Sequence, residues 1–597
     1  MPQTFTTRPD IRGRFGVVTS THWIASATGF GVLERGGNAF DAAVATGLVL
    51  QVVEPHLNGP AGEVPALLRP AEGAPRVLCG QGVAPRGATI AHYRAEGLAL
   101  VPGSGLLATV VPGAFDAWML LLRDHGTISL REAMAPAIAY ARDGHPMLPR
   151  VAAAIAGIAE FFETEWPTSA AVWLPDGRPP EPNEIFANPA LAGTYERLVS
   201  AGEAAGADRA AQIEGARTAW REGFVAKAIG DYLDTAEVMD VSGRPHRAVL
   251  SRQDLADWQA SYEAPLSLDY HGWRVHKTGP WGQGPVLLQA LAILRGVDLA
   301  SMDPFSADFI HTVIEAIKLA FADREAHYGD PDHVTGPIDT LLSEAYAAER
   351  RALIGPDASH EQRPGRIPGF EHLAEAYVAR AGRDMDAPLG AGIGEPTMAH
   401  LDRREGDTVH LDVIDRWGNA ISATPSGGWL QSSPVIPGLG FALNSRAQMF
   451  WLEEGLPSSL APGRRPRTTL TPTLAEAEGR LLAFGTPGGD KQDQWQLIWF
   501  LRFVHHGLSP QEAIDAPLFH STHFQASFYP RRSEPGAMTI EPSADADVIA
   551  ELRRRGHLVT VSEPWAIGRL TAALREPDGT LTAAATPRLM QAYAVGR

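Results

Sequence analysis

The chain of 597 residues is 45% hydrophobic and 20% charged, a balance typical of a folded globular protein. Its formal net charge of -18 argues against a nucleic-acid-binding surface and against docking on anionic lipid, because both require clustered Lys and Arg side chains. The single cysteine, Cys79, excludes an intrachain disulfide and a cysteine-rich zinc site, and the apolar residues before it predict a buried thiol.

The first half of the chain is predicted to be mostly helical with interspersed strands. Apolar residues recur at helical spacing over residues 25–35 and 39–53, and the Gly-Gly-Asn run between them is typical of a helix end followed by an N-cap. Ser129 and Glu132 have the spacing of a capping box, which predicts that a helix begins there. Another long helical pattern covers residues 309–327.

A polar segment precedes the second half of the chain. Residues 384–396 are rich in Gly, Asp and Pro, and residues 402–407 are almost wholly polar. Such a segment buries too little apolar surface to order itself strongly, which predicts an exposed linker. A strand is predicted to begin abruptly behind it at Thr408, because residues 409–413 alternate between apolar and polar side chains.

The rest of the chain is predicted to contain strands and one long helix. A turn at residues 416–419 joins the first strand to residues 420–424 in a hairpin. A second strand pair is predicted from residue 471 to 484, followed by a helix over residues 492–505. Short strands, such as residues 580–585, are predicted toward the end of the sequence.

Several runs of the sequence resemble, in order and spacing, the gamma-glutamyltransferase family of N-terminal-nucleophile hydrolases. A single run carries little information, but the set extends nearly from end to end and is highly specific. The runs are GVLERGGNAFDAAVA (31–45), VPGAFDAW (111–118), AFADR (320–324), GDP (329–331), GDT (406–408), DRWGNA (415–420), RPRTTLTPT (465–473) and GTPGG (485–489).

The resemblance implies an α+β fold, a four-layer αββα sandwich in which two antiparallel sheets lie between layers of helices. It also implies a precursor that cuts itself before Thr408. The expected mature protein is one fold made of two associated chains, a large subunit of residues 1–407 and a small subunit of residues 408–597, without disulfides.

The resemblance assigns the chemistry to Thr408. In this family the threonine hydroxyl attacks the peptide bond in front of it, and hydrolysis of the resulting ester leaves the threonine as a new N-terminus. Its α-amine, with a pKa of roughly 7.7–8.0 in reference compounds, can then act as the base that activates its own hydroxyl. By residue type alone, Thr408 could equally be a β-branched residue that begins a strand.

Other matched positions imply the rest of the catalytic site. Ser426 stands where the family has a second hydroxyl that contacts the nucleophile, although it could also be an ordinary turn serine. Gly488 and Gly489 match the family's oxyanion-hole glycines, whose N–H groups face the developing negative charge. Thr468 and Thr469 match the paired hydroxyls that hold the substrate's carboxylate.

The predicted pocket departs from the glutamyl-specific pattern of the family. Ile90 stands where an arginine binds the α-carboxylate, and Met449 stands where an acidic residue binds the α-amine. Gly428 replaces an asparagine, and the segment 450–467 is shorter than the family's lid loop. Arg446 is predicted to contact an acidic group of the substrate, with a purely structural role as the alternative.

The leading hypothesis is therefore an amidase or acylase that acts on a small-molecule amide through a covalent acyl-enzyme on Thr408, with an acidic moiety on the acyl group. One alternative is a true gamma-glutamyl hydrolase or transferase with a glutathione-type substrate. The other is a pseudoenzyme that only binds its ligand. The sequence leaves open the acyl group, the leaving group, the choice between hydrolysis and transfer, and the oligomeric state.

No cofactor and no metal are expected. His520 and His523 are metal-ligand types in close spacing, but no acidic third ligand accompanies them. The sequence has neither a Gly-Lys-Ser phosphate loop nor a Gly-x-Ser-x-Gly elbow between a strand and a helix. Because it lacks an apolar run of about 18 residues and a secretory signal pattern, we expect a cytoplasmic protein that does not cross a membrane.

Overall fold

The computed structural model describes residues 5–382 and 408–597. The linker predicted at residues 384–396 and 402–407 lies outside the described residues. The strands are β1 (Ile11–Gly13), β2 (Gly16–Ser20), β3 (Val64–Arg69), β4 (Arg76–Gly80), β5 (His145–Pro146), β6 (Ile185–Phe186), β7 (Glu237–Met239), β8 (Pro245–Arg247), β9 (Ser261–Glu263), β10 (Leu266–Tyr270), β11 (Trp273–Lys277), β12 (Leu411–Asp415), β13 (Ala420–Ala423), β14 (Thr473–Ala477), β15 (Arg480–Gly485), β16 (Phe519–Ser521), β17 (Ala537–Ile540), β18 (Leu558–Val561), β19 (Thr571–Arg575), β20 (Leu581–Ala585) and β21 (Tyr593–Gly596).

The helices come from both sides of the gap in the described residues. They are α1 (Trp23–Glu34), α2 (Ala39–Val53), α3 (Ile90–Ala95), α4 (Ala114–His125), α5 (Leu130–Asp143), α6 (Pro149–Thr164), α7 (Pro167–Trp173), α8 (Pro189–Ala204), α9 (Arg209–Arg221), α10 (Phe224–Leu233), α11 (Arg252–Asp257), α12 (Pro285–Leu294), α13 (Ala307–His327), α14 (Ile338–Leu341), α15 (Glu344–Arg351), α16 (Glu371–Ala381), α17 (Gln492–His506), α18 (Pro510–Asp515) and α19 (Ala546–Arg554).

Two seven-stranded antiparallel sheets face each other. Sheet one has the order β21-β2-β12-β13-β3-β4-β9, and sheet two has the order β1-β20-β19-β15-β14-β11-β10. Apolar side chains such as Val17 and Ile414 from sheet one and Leu474 and Ala483 from sheet two fill the space between them. The two predicted hairpins, β12–β13 and β14–β15, are confirmed at the centre of these sheets.

Helices cover the outer face of each sheet. On sheet one, Leu411 and Ile421 belong to the same hydrophobic core as α1, α2, α4 and α5. On sheet two, Leu482 and Phe484 belong to the core that contains α12, α13 and α17. Because each strand of the β12–β13 hairpin is covered on both faces, its polar positions are buried as well. The four-layer αββα sandwich expected from the sequence is confirmed.

Side-chain caps explain where the predicted helices begin. The side chain of Asn38 accepts the N–H groups at the start of α2, and Ser129 forms the predicted capping box at the start of α5. Helix α1 begins at Trp23, two residues before the apolar pattern, because His22 Nδ1 accepts the N–H of Ile24.

Cys79 lies in the core between the sheets, as predicted, and burial raises the pKa of its thiol to about 12. Such a thiol is protonated at neutral pH and therefore packs as a small apolar side chain. Among the helices of the described residues, none combines the length and the apolar character needed to span a bilayer.

Candidate active site

Thr408 lies at the start of the β12–β13 hairpin, beside residues 425–426, which in turn pair with Glu63. The Val409 N–H donates to the Pro425 carbonyl at 3.0 Å, and Thr408 forms an antiparallel bridge with Ser426. Ser426 also exchanges two main-chain hydrogen bonds with Glu63, at 3.0 and 2.8 Å. The hairpin therefore brings Thr408, which is fully buried, beside Ser426.

The side chains of Thr408 and Ser426 begin a buried chain of hydrogen bonds. Thr408 Oγ1 donates to Ser426 Oγ at 3.3 Å, which is long for a hydroxyl pair. Ser426 Oγ also accepts from Arg446 Nη2 at 2.9 Å. A cationic donor at the end of this chain favours negative charge on the oxygens that it contacts.

Arg446 is held in place by a carboxylate that the sequence does not single out. Its Nη2 and Nε lie 3.2 and 3.3 Å from Glu63 Oε2, and both side chains are buried. Its guanidinium lies 5.3 Å from the ring centroid of Trp429, and Nη1 contacts the sulfur of Met449 at 3.8 Å. A buried charge is costly unless it is paired, so Glu63 accounts for the presence of Arg446 here. A contact between Arg446 and substrate stays a prediction.

Gly488 and Gly489 lie at the same edge of the sandwich as Thr408. They follow β15, which ends at Gly485. A Cβ atom on Gly485 would lie 2.2 Å from Cε1 of His410, so the main chain of Gly485 lies directly against the His410 ring. Because His410 is only two residues beyond Thr408, the loop that carries the glycine pair emerges next to the predicted nucleophile.

The backbone at the glycine pair has no room for side chains. Gly488 and Gly489 have φ values of +132° and +54°, which L-residues with a Cβ rarely adopt. A Cβ atom on Gly488 would lie 2.3 Å from the Trp495 ring, and one on Gly489 would lie 3.0 Å from Phe528. The Gln283 side chain donates to the Gly489 carbonyl at 3.0 Å, which fixes the loop further.

A buried histidine and aspartate support the hairpin from the space between the sheets, and the sequence prediction missed both. His410 lies 2.9 Å from Thr424 Oγ1 through Nδ1 and 2.9 Å from Asp412 through Nε2. Asp412 accepts from the hydroxyls of Thr19 and Thr571, at 3.0 and 2.7 Å. His410 and Asp412 alternate with apolar residues along the strand, and this alternation was the feature of the sequence from which they could have been found. Because the strand is covered on both faces, the polar positions of this pattern are buried.

Thr468 and Thr469 are fully buried in the loop before β14. The Thr468 N–H donates to the Trp281 carbonyl at 2.9 Å, and its Oγ1 accepts the N–H of Leu470 at 3.4 Å. Thr469 Oγ1 has no hydrogen-bond partner among the described residues. A buried hydroxyl without a partner is costly, so this group is suited to a ligand oxygen.

The positions that depart from the glutamyl-specific pattern are apolar or close-packed in the structure. Met449 forms a buried cluster with Trp429 and Phe528. Ile90 lines a surface cavity of about 400 Å³. Gly428 has a φ of +66°, and a Cβ atom there would lie 2.9 Å from the main-chain nitrogen of Gly62, so glycine is required. Neither Ile90 nor Met449 offers a charge to a zwitterionic substrate.

One group of described residues has ligand atoms close enough to share a metal ion: His311, Glu315 and His557. The two histidines bond each other at 2.8 Å, and Glu315 pairs with Lys318 and Arg363. Two cations already satisfy the carboxylate, which disfavours a third. His520 and His523 do not belong to this group.

The profile of the gamma-glutamyltranspeptidase family matches residues 25–596. The acylase ACY 1 proenzyme of Pseudomonas sp. (strain SE83) is 32% identical over 587 residues, covering 96% of this chain and 92% of that protein. The glutathione hydrolase proenzyme of Pseudomonas sp. (strain A14) is 29% identical over 522 residues, covering 85% and 81%. The chain therefore belongs to the gamma-glutamyltranspeptidase family and is an enzyme of it.

Solved structures agree with this assignment. The structure of LmbA2991HD superposes with a TM-score of 0.91 at 55% sequence identity and covers 100% of both chains. The cephalosporin acylase from Bacillus halodurans superposes with a TM-score of 0.82 at 28% identity and covers 100% of this chain and 98% of that one. The family resemblance that the sequence motifs indicate is confirmed.

Proposed function

We propose that the chain is a self-processing amide hydrolase with Thr408 as its nucleophile. The observation that carries the proposal is the buried chain from the Thr408 hydroxyl through Ser426 to Arg446, with distances of 3.3 and 2.9 Å. The glycine pair at the same edge of the sandwich supports it. So do the relatives, because the Pseudomonas acylase and the Pseudomonas glutathione hydrolase are both named as proenzymes.

Maturation begins, in this proposal, when the Thr408 hydroxyl attacks the carbonyl carbon of Asp407. An ester forms as the peptide C–N bond breaks, and the nitrogen takes up a proton to become the α-amine of Thr408. Water then hydrolyses the ester, which leaves a carboxylate on Asp407 and a free hydroxyl on Thr408. The products are the subunits 1–407 and 408–597, which stay associated because β12 and β13 lie between strands of the large subunit.

Turnover uses the same hydroxyl on a small-molecule amide. The α-amine of Thr408 takes the hydroxyl proton, since its reference pKa of roughly 7.7–8.0 is close to working pH. The N–H groups of Gly488 and Gly489 stabilise the oxyanion, and one such donor typically contributes about 2.7–4 kcal/mol. The substrate's amine leaves with the proton, and water hydrolyses the acyl ester to release the acid.

We further propose an acyl group that carries an acidic moiety but no free α-amine. A zwitterionic glutamyl head needs both a cation and an anion in the pocket. Met449 lies in an apolar cluster where glutamyl-specific members have the anion. The spare hydroxyl of Thr469 is suited to one oxygen of the substrate. Turnover of gamma-glutamyl-p-nitroanilide would instead favour the true gamma-glutamyl hydrolase or transferase.

Denaturing intact-mass spectrometry of the purified protein tests the proposal. We expect two fragments whose masses correspond to a cut between Asp407 and Thr408. A screen of p-nitroanilides would then measure amide hydrolysis by the cut protein. A folded protein that stays a single chain through prolonged incubation contradicts self-processing and favours a binding-only descendant of the family.

A further inference from the structure

Four apolar side chains lie at the edge of the sandwich where the predicted nucleophile stands, and three of them are exposed to solvent. Trp23 is 36% exposed, Trp565 44% and Met590 69%, and Tyr593 is partly buried. The rings of Trp23 and Tyr593 meet edge to face with their centroids 5.7 Å apart, and the Tyr593 hydroxyl donates to the Met590 carbonyl at 2.9 Å. We call Trp23, Trp565, Met590 and Tyr593 the apolar ledge.

The apolar ledge is held in place by the main chain and by a buried arginine behind it. The Leu589 N–H donates to the Trp565 carbonyl at 3.2 Å, which joins the two loops that carry the ledge. The guanidinium of Arg588, a buried residue, lies 5.0 Å from the centroid of the Trp565 ring. Trp565, Leu589 and Met590 have φ values of +57°, +57° and +55°. This left-handed backbone is costly for residues with a Cβ and is common at ligand-binding sites.

Sheet one places the apolar ledge on one flank of Thr408 and the proposed acyl site on the other. Strand β12, which Thr408 precedes, pairs with β13 on one side and with β2 on the other. Ser426 follows β13, whereas Trp23 follows β2 and Tyr593 begins β21, the strand beyond β2. Because β2 and β13 both end opposite the first residue of β12, these side chains lie at the same edge of the sheet as Thr408.

Sheet two repeats this arrangement around the glycine pair. Strand β15, which Gly488 follows, pairs with β14 on one side and with β19 on the other. Thr469, whose hydroxyl is suited to a substrate oxygen, lies in the loop before β14. Trp565 lies in the loop before β19, and Met590 lies between β20 and β21. In both sheets, therefore, the apolar ledge and the proposed acyl site lie on opposite flanks of the reacting groups.

We propose that the apolar ledge binds an aromatic ring on the amine half of the substrate. This inference rests on the proposed function and narrows the leaving group to amines that carry an aromatic ring. An amide that lies across Thr408 with its acyl group on the Ser426 flank extends its nitrogen substituent toward the ledge. Tryptophan, tyrosine and methionine side chains bind flat rings through edge-to-face, offset-stacked and sulfur contacts. Hydrolysis consumes one water and releases the carboxylic acid and the aromatic amine.

The test compares two amides of one acyl group, the group that the screen of p-nitroanilides selects. One amine is benzylamine, and the other is cyclohexylmethylamine, which has the same carbon skeleton but a puckered ring without π electrons. Trp565→Leu should lower the ratio of the two kcat/KM values, benzylamide over cyclohexylmethylamide, by about two- to tenfold, the effect of one aromatic pair. The intrinsic reactivities of the two amides are the same for both proteins, so they cancel when the ratios are compared.

Trp417→Leu is the matched control variant. Trp417 is also exposed, at 47%, and also lies against an arginine, because the guanidinium of Arg416 is 4.4 Å from its ring centroid. It belongs to the turn between β12 and β13, at the edge of the sandwich opposite Thr408. We expect Trp417→Leu to keep the wild-type ratio. Trp23→Leu should lower the ratio in the same direction as Trp565→Leu, and it replaces that variant if Trp565→Leu does not fold.

Ligand-observed saturation-transfer NMR keeps the inference separate from the proposed function. The probes are N-benzylacetamide and N-(cyclohexylmethyl)acetamide, titrated into the folded protein. If intact-mass spectrometry shows no cleavage, the proposed function fails, but wild type and Trp417→Leu should still bind N-benzylacetamide more tightly, and Trp565→Leu should lose this preference.

Equal binding of the two probes by the wild type overturns the inference, as does a substrate ratio that neither Trp565→Leu nor Trp23→Leu changes. Sedimentation velocity at several protein concentrations tests the other occupant of an exposed apolar surface, a second copy of the chain. A dimer that Trp565→Leu dissociates and Trp417→Leu leaves intact would assign the ledge to that contact and would also overturn the inference.

Discussion

Arg446 and Glu63 form a buried ion pair across 383 residues of sequence, with Nη2 3.2 Å from Oε2. In the proposed mature protein Glu63 belongs to the large subunit and Arg446 to the small one. The pair therefore joins the two subunits at the point where Arg446 also donates to Ser426. Contact between the two subunits through this ion pair thus also fixes the position of the Ser426 hydroxyl beside Thr408.

Removal of one partner of this pair should destabilise the protein more than removal of both. Glu63→Gln leaves the Arg446 charge buried, which typically costs about 3–5 kcal/mol. Glu63→Gln/Arg446→Met removes both charges and should recover part of that loss. Denaturant unfolding in a Thr408→Ala background, where the chain should stay in one piece, measures the difference.

Asp143→Asn serves as the control for this double-variant cycle, because Asp143 pairs with Arg142 at the exposed surface. An exposed pair is screened by solvent, so we expect no measurable shift of its unfolding midpoint. Equal stability of Glu63→Gln and of the double variant would contradict the expected cost of leaving the Arg446 charge buried without its carboxylate.

Thr408→Ala should yield a full-length chain of 64.0 kDa without amidase activity, because it removes the hydroxyl that attacks the peptide bond. Thr408→Ser keeps a hydroxyl and, after cleavage, an α-amine, so it should still produce two fragments. Intact-mass spectrometry after equal incubation times distinguishes the two variants. A wild-type cleavage pattern in Thr408→Ala would rule out Thr408 as the nucleophile of maturation.

The sequence predicted the features that depend on short stretches of chain. The hairpin after Thr408 follows from alternation over five residues and a Gly-Asn turn, and the start of α5 follows from the Ser129 capping box. The layered architecture was predictable only through the family resemblance, because strand order depends on contacts between distant segments.

The electrostatic environment of the site could not be predicted in the same way. Glu63 is an isolated acidic residue in a run rich in Gly and Pro, and nothing local shows that it meets Arg446. Arg467 and Arg531 lie in sequence among ordinary basic residues. Arg467 is buried and pairs with Glu325, whereas buried nitrogens of Arg531 have no hydrogen-bond partner among the described residues. Tertiary packing alone determines which of these charges is paired.

Gly488→Ala should reduce kcat/KM by about a hundredfold or more, the typical effect of losing one oxyanion donor. A Cβ atom at φ +132° would lie 2.3 Å from the buried Trp495 ring, so the loop or the ring must move. Gly507→Ala is the control: Gly507 also has a positive φ, +63°, but no atom lies within 4 Å of its Cβ position. Steady-state assays on both variants separate the effect of backbone strain from the effect of displacing the loop. If Gly488→Ala and Gly507→Ala had equal kcat/KM values, Gly488 would not be part of the oxyanion hole.

Glu54 should make the stability of the protein depend on pH near neutrality. Burial raises the pKa of this carboxyl to about 7, although hydrogen bonds from Thr21 and Gln591 and the charge of Arg569 oppose the shift. The folded state therefore binds a proton that the unfolded state releases at a lower pH. Between the unfolded pKa of 4.5 and the folded pKa of about 7, the free energy of unfolding should fall as pH rises, by up to about 1.4 kcal/mol per pH unit.

Glu54→Gln removes this titration, so the difference in unfolding free energy between wild type and variant isolates it. Asp493, whose pKa burial raises to about 6, titrates in the same window in both proteins and cancels in the difference. Denaturant unfolding at pH 5, 6, 7 and 8 should show the wild type losing stability relative to Glu54→Gln up to about pH 7 and no further change above it. A difference that stays constant from pH 5 to pH 8 would mean that Glu54 is already ionised at pH 5, so that Thr21, Gln591 and Arg569 together outweigh the cost of its burial.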